Sequence, residues 1–316
     1  MDLHQVRYFL AVIDHGSINV AADAAGVAQP TISQALRALE RELRTPLFYR
    51  IGRGMVPTSA GFALVGPARR LLRDIATAGG SVPDDEGHLR GQLDISSMPA
   101  LSVGILPTLA ADYRRRHPKV SVTIGILHDD MAAATLLRNA VCEIVVTILP
   151  FDQSMHLGEE DHALDVLELG TQEYWIAYPP DAPAPASDPL PWDEVDTPMV
   201  AVPTGGSHPR EIFRMLSPPQ QVRRPAAILQ NREARLAFVL AGVGATWIEH
   251  SMADIARERG AQVRALTPAL KAPYGLVFER DNLSAAAAAF VDLARTHVSS
   301  SVDSASARNA APVGDS

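Results

Sequence analysis

Between residues 29 and 43 apolar side chains recur every three or four positions. Placed 100° apart, Ile32, Leu36, Leu39 and Leu43 form one narrow stripe, while Ser33, Gln34, Arg37 and Arg41 fall on the opposite face. The pattern predicts an amphipathic helix with one face packed and the other free. A shorter helical stretch precedes it from Ile18, with Ser17 placed to cap it. Gly26 can supply the positive φ of a turn between the two, and Pro30 suits the first position of the second helix. Helix, glycine turn and helix over about 18–37 make a helix-turn-helix. Two short apolar runs around Gly52 and Gly54 then predict a β-hairpin over 46–57 that carries Arg50 and Arg53. Residues 1–58 thus read as a winged helix-turn-helix.

Beyond it, 59–77 is helical in pattern, with Gly61, Leu64, Ala68, Leu71, Ile75 and Ala78 at spacings of three and four. This heptad-like seam predicts one side of a short dimer interface, and Gly66-Pro67 predicts a kink. The Gly-, Pro- and acid-rich stretch 79–87 reads as a hinge, which closes a linker region of 59–90. Strands over 92–96, 120–127 and 142–148 alternate with helices over 103–117 and 131–139, the signature of an α/β fold with a mainly parallel sheet. A second α/β block, 164–267, contains a strand over 174–178 and a helix over 232–241. A strand over 274–278 and a helix over 284–296 follow. The last stretch, 299–316, is Ser- and Ala-rich without apolar periodicity and predicts a disordered tail.

Charge sharpens this division. The net charge is −8, yet residues 1–73 hold nine arginines against five acids, so a balance of +4 in the first part leaves −12 to the rest. Between Thr31 and Arg73, eight arginines face Glu40 and Glu42 alone. Such a local excess suits a polyanion, and the acidic remainder is repelled by it. Arg bonds guanine bidentately and Gln does the same to adenine, so the free face of the second helix can read base edges; Arg50 and Arg53 on the wing suit phosphates.

Other chemistries find little support. A single cysteine, Cys142, excludes an internal disulfide and reads as a buried strand thiol, with a redox sensor as the alternative. No apolar run approaches a membrane span, and the first residues do not resemble a signal segment, so a cytoplasmic protein is expected. His156 and His162 flank Glu159, Glu160 and Asp161, but their spacing fits no common ligand pair, and no metal or cofactor is expected. Six prolines over 179–191 predict a stiff surface loop. Phosphate-binding, serine-hydrolase and zinc-protease motifs are absent from the sequence, so no catalytic residue is assigned.

Gly16-Ser17, Ala21-Ala22, Gln29-Pro30-Thr31-Ile32-Ser33, Leu39-Glu40-Arg41-Glu42-Leu43, Pro46-Leu47-Phe48, Arg50, Pro57-Thr58 and Ala60-Gly61 stand in the order and spacing of LysR-type transcriptional regulators. The resemblance is dense to about residue 90 and looser over 91–295. It implies a winged helix-turn-helix, a linker helix, and a two-lobed α/β effector domain similar to periplasmic solute-binding proteins. Its first lobe would take 91–163 and 268–298, its second 164–267. DNA contacts are implied at Ser17, Gln29, Pro30, Thr31, Ser33, Gln34, Arg37, Arg41, Arg50 and Arg53. Ala28 stands where the family usually has Ser, so the recognition helix is expected to lack its side-chain cap.

Ligands in open α/β sheets collect beyond the carboxyl ends of strands. With the resemblance, that places a small-molecule effector at Ser97, Met98, Ala100 and Ser102 after the first strand, at Thr147 ending the third, and at Pro203, Thr204 and Trp247 across the cleft. Two departures from the family fall nearby: Ser96 where Gly is common, and Thr246-Trp247-Ile248-Glu249-His250 where an aliphatic run ending in Pro is common. The implied protein is an effector-responsive transcription regulator acting as a homodimer or homotetramer on an inverted repeat, with contact to RNA polymerase. The alternative is a solute-binding or enzymatic α/β domain fused to a DNA-binding arm.

Overall fold

A computed structural model describes residues 1–52, 54–80, 89–127, 132–150, 164–201 and 225–309, with backbone only for 76–80 and 300–309. The chain opens with α1 (Leu3–His15), held by a reciprocal cap in which the Asp2 carboxylate accepts from the Gln5 amide and the Gln5 side chain accepts from the Asp2 amide. Helices α2 (Ile18–Ala25) and α3 (Gln29–Leu43) follow, with Gly26 between them at φ 65°. Three faces meet in one core of Val6, Phe9, Leu10, Ile32, Leu36 and Leu39, closed by Leu47 and Phe48. The apolar stripe of α3 is therefore real through Leu39, but Leu43 is exposed: α3 outruns the body it packs against. Strands β1 (Phe48–Ile51) and β2 (Gly54–Pro57) pair antiparallel as the expected wing.

Helix α4 (Ser59–Gly80) divides its apolar positions in a way the heptad reading did not foresee. Val65 and Ala68 are buried, and Ala60, Leu64 and Leu72 pack against the same helical core. Gly61 is needed because a Cβ there would lie 2.2 Å from the Leu47 carbonyl oxygen. Only Leu71 and Ile75 of the seam stay exposed among its described side chains. The first half of the seam is thus used by its own module, since the free face of α1 and the wing offer the nearest apolar surface.

The second module is built on a seven-stranded sheet in the order β10 (Thr246–Glu249), β6 (Asp165–Tyr178), β13 (Leu270–Phe278), β5 (Ile144–Ile148), β3 (Arg90–Ser97) and β4 (Lys119–Ile126), with β11 (Gln262–Arg264) also on β6. Strands β3, β4 and β5 are parallel, and α5 (Pro99–Ser102), α6 (Ile105–Arg116) and α7 (Ala133–Arg138) connect them. β6 and β13 run antiparallel along most of their length, joining the two lobes. The sheet is therefore mixed, not mainly parallel, because the two long crossing strands traverse it in opposite senses. Their register shifts between Tyr274 and Gly275, where a Cβ at Gly275 would meet the Leu167 carbonyl oxygen at 2.4 Å.

The short strands β7 (Leu190–Pro191), β8 (Val200–Ala201) and β9 (Ala227–Ile228) border the second lobe. Its body is α8 (Arg235–Leu240), β10 (Thr246–Glu249), α9 (Ala253–Glu258), β11 (Gln262–Arg264) and β12 (Leu266–Thr267), with Ala177, Val239, Ile248 and Val263 in its core. The proline-rich loop is fixed as predicted for a stiff segment: the Gln262 amide donates to the carbonyls of Pro179, Pro180 and Ala182. α10 (Ala285–Asn309) closes the first lobe through Phe290, which meets Tyr113 edge-on. It continues through 299–309, where a tail without structure was expected; the stretch holds neither Gly nor Pro to stop a helix. Residues 310–316 lie outside the described residues, as does most of the expected hinge.

The linker helix is docked on the first lobe. A Cβ at Gly66 would lie 2.2 Å from the Arg138 carbonyl oxygen, and Arg70, Arg69 and Arg73 donate to the carbonyls of Arg138, Asn139 and Ala140. Three cations thus gather where α7 ends, on its last carbonyl and the two that follow, at the negative end of that helix. Gly66→Ala is expected to separate the two surfaces. Hydrogen exchange at 138–141 should rise in that variant, and unchanged protection there would disprove the contact.

Candidate nucleic-acid interface and inter-lobe cavity

The exposed side of α3 presents Gln29, Pro30, Thr31, Gln34, Arg37 and Arg41, with Ser33 partly covered. No side chain caps this helix at Ala28, as expected; Gln29 Nε2 instead donates to Ser33 Oγ at 2.7 Å. Pro30 is the second helical residue, one position later than expected. Ser17 sits at the N-cap of α2 in extended backbone but makes no capping hydrogen bond, so its hydroxyl is not committed to the helix. Arg44 holds φ 55° at the end of α3 and lines a surface groove with Gln34, Arg37, Arg41 and Pro46. Sequence reasoning did not single it out, although its place at the C-terminal end of a helix was a signal. Glu40 lines the same groove, with its carboxylate accepting from the Leu47 amide at 2.8 Å, so one acid stands among these cations. Arg50 is exposed on β1, and Arg53 lies outside the described residues. Arg69, Arg70 and Arg73, counted above in the basic surplus, are held by the first lobe and Asp14. Among the described residues of the first module, the arginines left exposed are Arg7 on α1, Arg37, Arg41 and Arg44 at α3, and Arg50 on the wing.

In the second module Ser97 and Thr147 are fully buried. Ser97 Oγ donates to the Met98 carbonyl at 3.1 Å, and Ser102 Oγ donates to the same oxygen at 3.2 Å. Thr147 Oγ1 lies 3.5 Å from Met98 Sδ. Met98 and Ala100 are buried as well, while Trp247 is partly exposed and packs on Trp192 with ring centroids 5.3 Å apart. The structure thus brings Ser97, Met98, Ser102 and Thr147 together around one carbonyl and one sulfur. Pro203 and Thr204 lie outside the described residues, as do His156 and His162 with their acidic neighbours.

A cavity of about 150 Å³ lies between the lobes, and none of Ser97, Met98, Ala100, Ser102, Thr147 or Trp247 lines it. Pro99 and Val103 of the first lobe form one side; Arg232, Arg235, Leu236, Ile248 and Glu249 form much of the other. Arg235 donates to both Glu249 oxygens at 3.0 and 3.2 Å and to the Trp247 carbonyl at 2.7 Å, so the buried Glu249 has a full partner. The departure from the family at 246–250 therefore installs a buried carboxylate, and its partner stands fourteen residues earlier. Neither charge was singled out from sequence. The signal was an acid ending a strand otherwise apolar, which needs a cation in the fold.

Cys142 is buried, and burial pushes its thiol up to about 11. A neutral, enclosed thiol is a poor nucleophile. Native protein should resist an aromatic disulfide reagent near neutral pH and react with one equivalent only after unfolding. Fast labelling of the folded chain would restore the redox reading.

A helical module with an exposed cationic helix, joined to a two-lobed α/β domain with a cavity between the lobes, defines a one-component ligand-responsive DNA-binding protein. The family comparisons agree. Residues 3–62 match the bacterial regulatory helix-turn-helix protein, lysR family, and residues 86–299 match the LysR substrate binding domain. The chain belongs to the LysR family. It is 26% identical over 306 residues to the HTH-type transcriptional regulator TfdS of Cupriavidus pinatubonensis, covering 93% of this chain and 98% of that protein. It is 32% identical over 178 residues to the nitrogen assimilation regulatory protein nac of Escherichia coli, covering 55% and 57%. Its fold is similar to full-length CbnR in complex with its target DNA (TM-score 0.66, 20% identity, 94% of this chain and 100% of that one). It also resembles full-length OxyR from Pseudomonas aeruginosa (TM-score 0.64, 17% identity, 94% and 97%). These relatives are transcription regulators, not enzymes, and this chain is a LysR-type DNA-binding regulator with an effector-binding domain. Among the described residues no helix is long and apolar enough to cross a membrane.

Proposed function

We propose that this regulator acts in the cytoplasm as a homodimer or homotetramer on an inverted-repeat promoter site. Gln29, Pro30, Thr31, Ser33, Gln34 and Arg37 face base edges, Ser17 and Arg41 flank them, and Arg50 and Arg53 take phosphates. The observation that carries this reading is the exposed polar face of α3 opposite a fully buried Ile32, Leu36 and Leu39. Such a helix is rigidly mounted yet free to enter a major groove. The exposed Leu71 and Ile75 of α4 are the part of the seam left for a second copy. A small molecule between the lobes shifts the balance between two assembly states, which changes the engagement of DNA and of RNA polymerase.

The test is a mobility shift on the DNA immediately upstream of the chain's own gene, with and without cell extract as a source of metabolites. A specific shift that extract alters is expected. Absence of any sequence-selective shift at moderate salt would sink the proposal.

A further inference from the structure

The inter-lobe cavity has an uneven chemistry. Its walls are apolar at Pro99, Val103, Leu236, Ile248, Met252 and Ala256, and its polar groups are Arg232, Arg235, Glu249 and Glu233. Arg235 and Glu249 satisfy each other. Glu233 is exposed, so its charge is met by water. That leaves Arg232, half-buried on the cavity wall, with no hydrogen bond or ion pair to its side chain among the described residues. Burial first, and then the neighbouring Arg235 cation, press its guanidinium below its ordinary value, against the opposing pull of Glu249, Tyr174 and Glu233. A partly desolvated guanidinium whose N–H donors have no hydrogen-bond partner among the described residues is left for an acceptor in the cavity to complete.

We propose that the effector is a small organic acid whose carboxylate forks onto Arg232 while its short apolar body lies between Pro99 and Val103 on one lobe and Leu236 and Ile248 on the other. This rests on the effector reading given above and adds the ligand's class. A guanidinium presents two parallel N–H donors at the spacing of a carboxylate, which makes the pairing directional. The Arg235–Glu249 pair beneath it is already complete, so it supplies a rigid floor and does not compete for the ligand. About 150 Å³ lies below the span of drug-sized pockets, which admits a body of a few carbons or one ring. Because the walls come from both lobes, a bound acid would bridge them. Occupancy is then coupled to the angle between the lobes.

Thermal unfolding of the full chain tests this. The probes are the sodium salts from acetate to hexanoate, and benzoate, each compared with its primary amide at matched ionic strength. At about 10 mM at least one carboxylate should raise the midpoint by about 3 °C, and its amide should not. Arg232→Gln should abolish that difference, each chain being read against its own unliganded midpoint, and Arg232→Lys, with the charge but not the fork, should retain a smaller part of it. The inference falls if no carboxylate of the series protects, if amides protect equally, or if Arg232→Gln responds like the natural chain. Should Arg232→Gln fail to fold, an undiminished response in Arg232→Lys would overturn the forked contact. A mobility shift separates this result from the regulator reading. Carboxylate protection that depends on Arg232, without any effect on DNA binding, would uphold the site and refute its regulatory use. DNA binding altered by an uncharged metabolite alone would do the reverse.

Discussion

Arg37→Ala is expected to weaken binding to the chain's own operator by about 1–3 kcal/mol, on the order of 10- to 100-fold, and to leave unrelated DNA nearly unaffected. Arg37 is exposed near the middle of α3, one turn beyond Ser33, and no hydrogen bond or ion pair holds its side chain among the described residues. Its fork is free to meet a guanine edge. Arg50 makes the useful contrast, because it projects from the wing strand β1, whose kind of element lies along the backbone or minor groove. Arg50→Ala should weaken operator and unrelated DNA alike, and should lower the slope of affinity against salt by about one counterion. Fluorescence titration of both variants on operator and scrambled duplexes measures the ratio. Equal selectivity in the two variants would refute the division of roles.

Arg73→Ala is expected to lower the stability of the docked linker and first lobe by about 2 kcal/mol, with a drop in thermal midpoint on the order of 5 °C. The Glu143 side chain is almost wholly buried, and its carboxylate accepts from the Ser284 amide at 2.7 Å and from Ser284 Oγ at 3.2 Å. Arg73 Nε lies 3.6 Å from it, the nearest cation. The Ser284 bonds survive the substitution, which keeps the loss below that of a fully orphaned ion. The loss should also depend on pH. Burial raises the Glu143 carboxyl above its ordinary value, against the opposing pull of Arg73 and Ser284. A carboxyl raised on folding contributes stability that is complete below its unfolded value and is lost as pH climbs through its folded value. Without Arg73 the folded value rises further, so more is lost. The gap between natural chain and variant should therefore be small near the ordinary carboxyl range and widen as pH rises above it. A gap independent of pH would show that Arg73 acts only through its bond to the Ala140 carbonyl.

Much of the DNA-binding module was legible in the sequence. The spacing of Ile32, Leu36 and Leu39 fixes which side of α3 is covered, because a helix has one period and a side chain cannot leave its face. Gly26 was readable for the same local reason: it holds a positive φ of 65°, where a side chain is strained, as Gly52 of the wing also does at 60°. The missing cap at Ala28 was equally visible, since capping depends on one residue. Leu43 shows the limit, for its period continues while the surface it would cover ends.

The second module was legible as alternation, not as topology. Strand period predicts a buried run such as β5 but not the direction of the strand beside it, and the antiparallel crossing of β6 and β13 arises only when both lobes close on one sheet. The cavity charges were hidden for a similar reason. Glu249 and Arg235 are fourteen residues apart, on a strand and a helix, and neither has a local signature of pairing.

Sequence alone thus determined a reading helix, a wing, a basic first module and an acidic second one, all set by neighbours within a few residues of each other along the chain. Tertiary structure decided the fate of Arg69, Arg70 and Arg73, which the sequence could count only as charge. A long cation goes to the nearest unsatisfied oxygen, and the carbonyls of Arg138, Asn139 and Ala140 come within reach only when the linker helix lies against the first lobe. Distances across some seventy residues of chain are a property of the packed molecule, and packing is what a one-dimensional pattern does not contain.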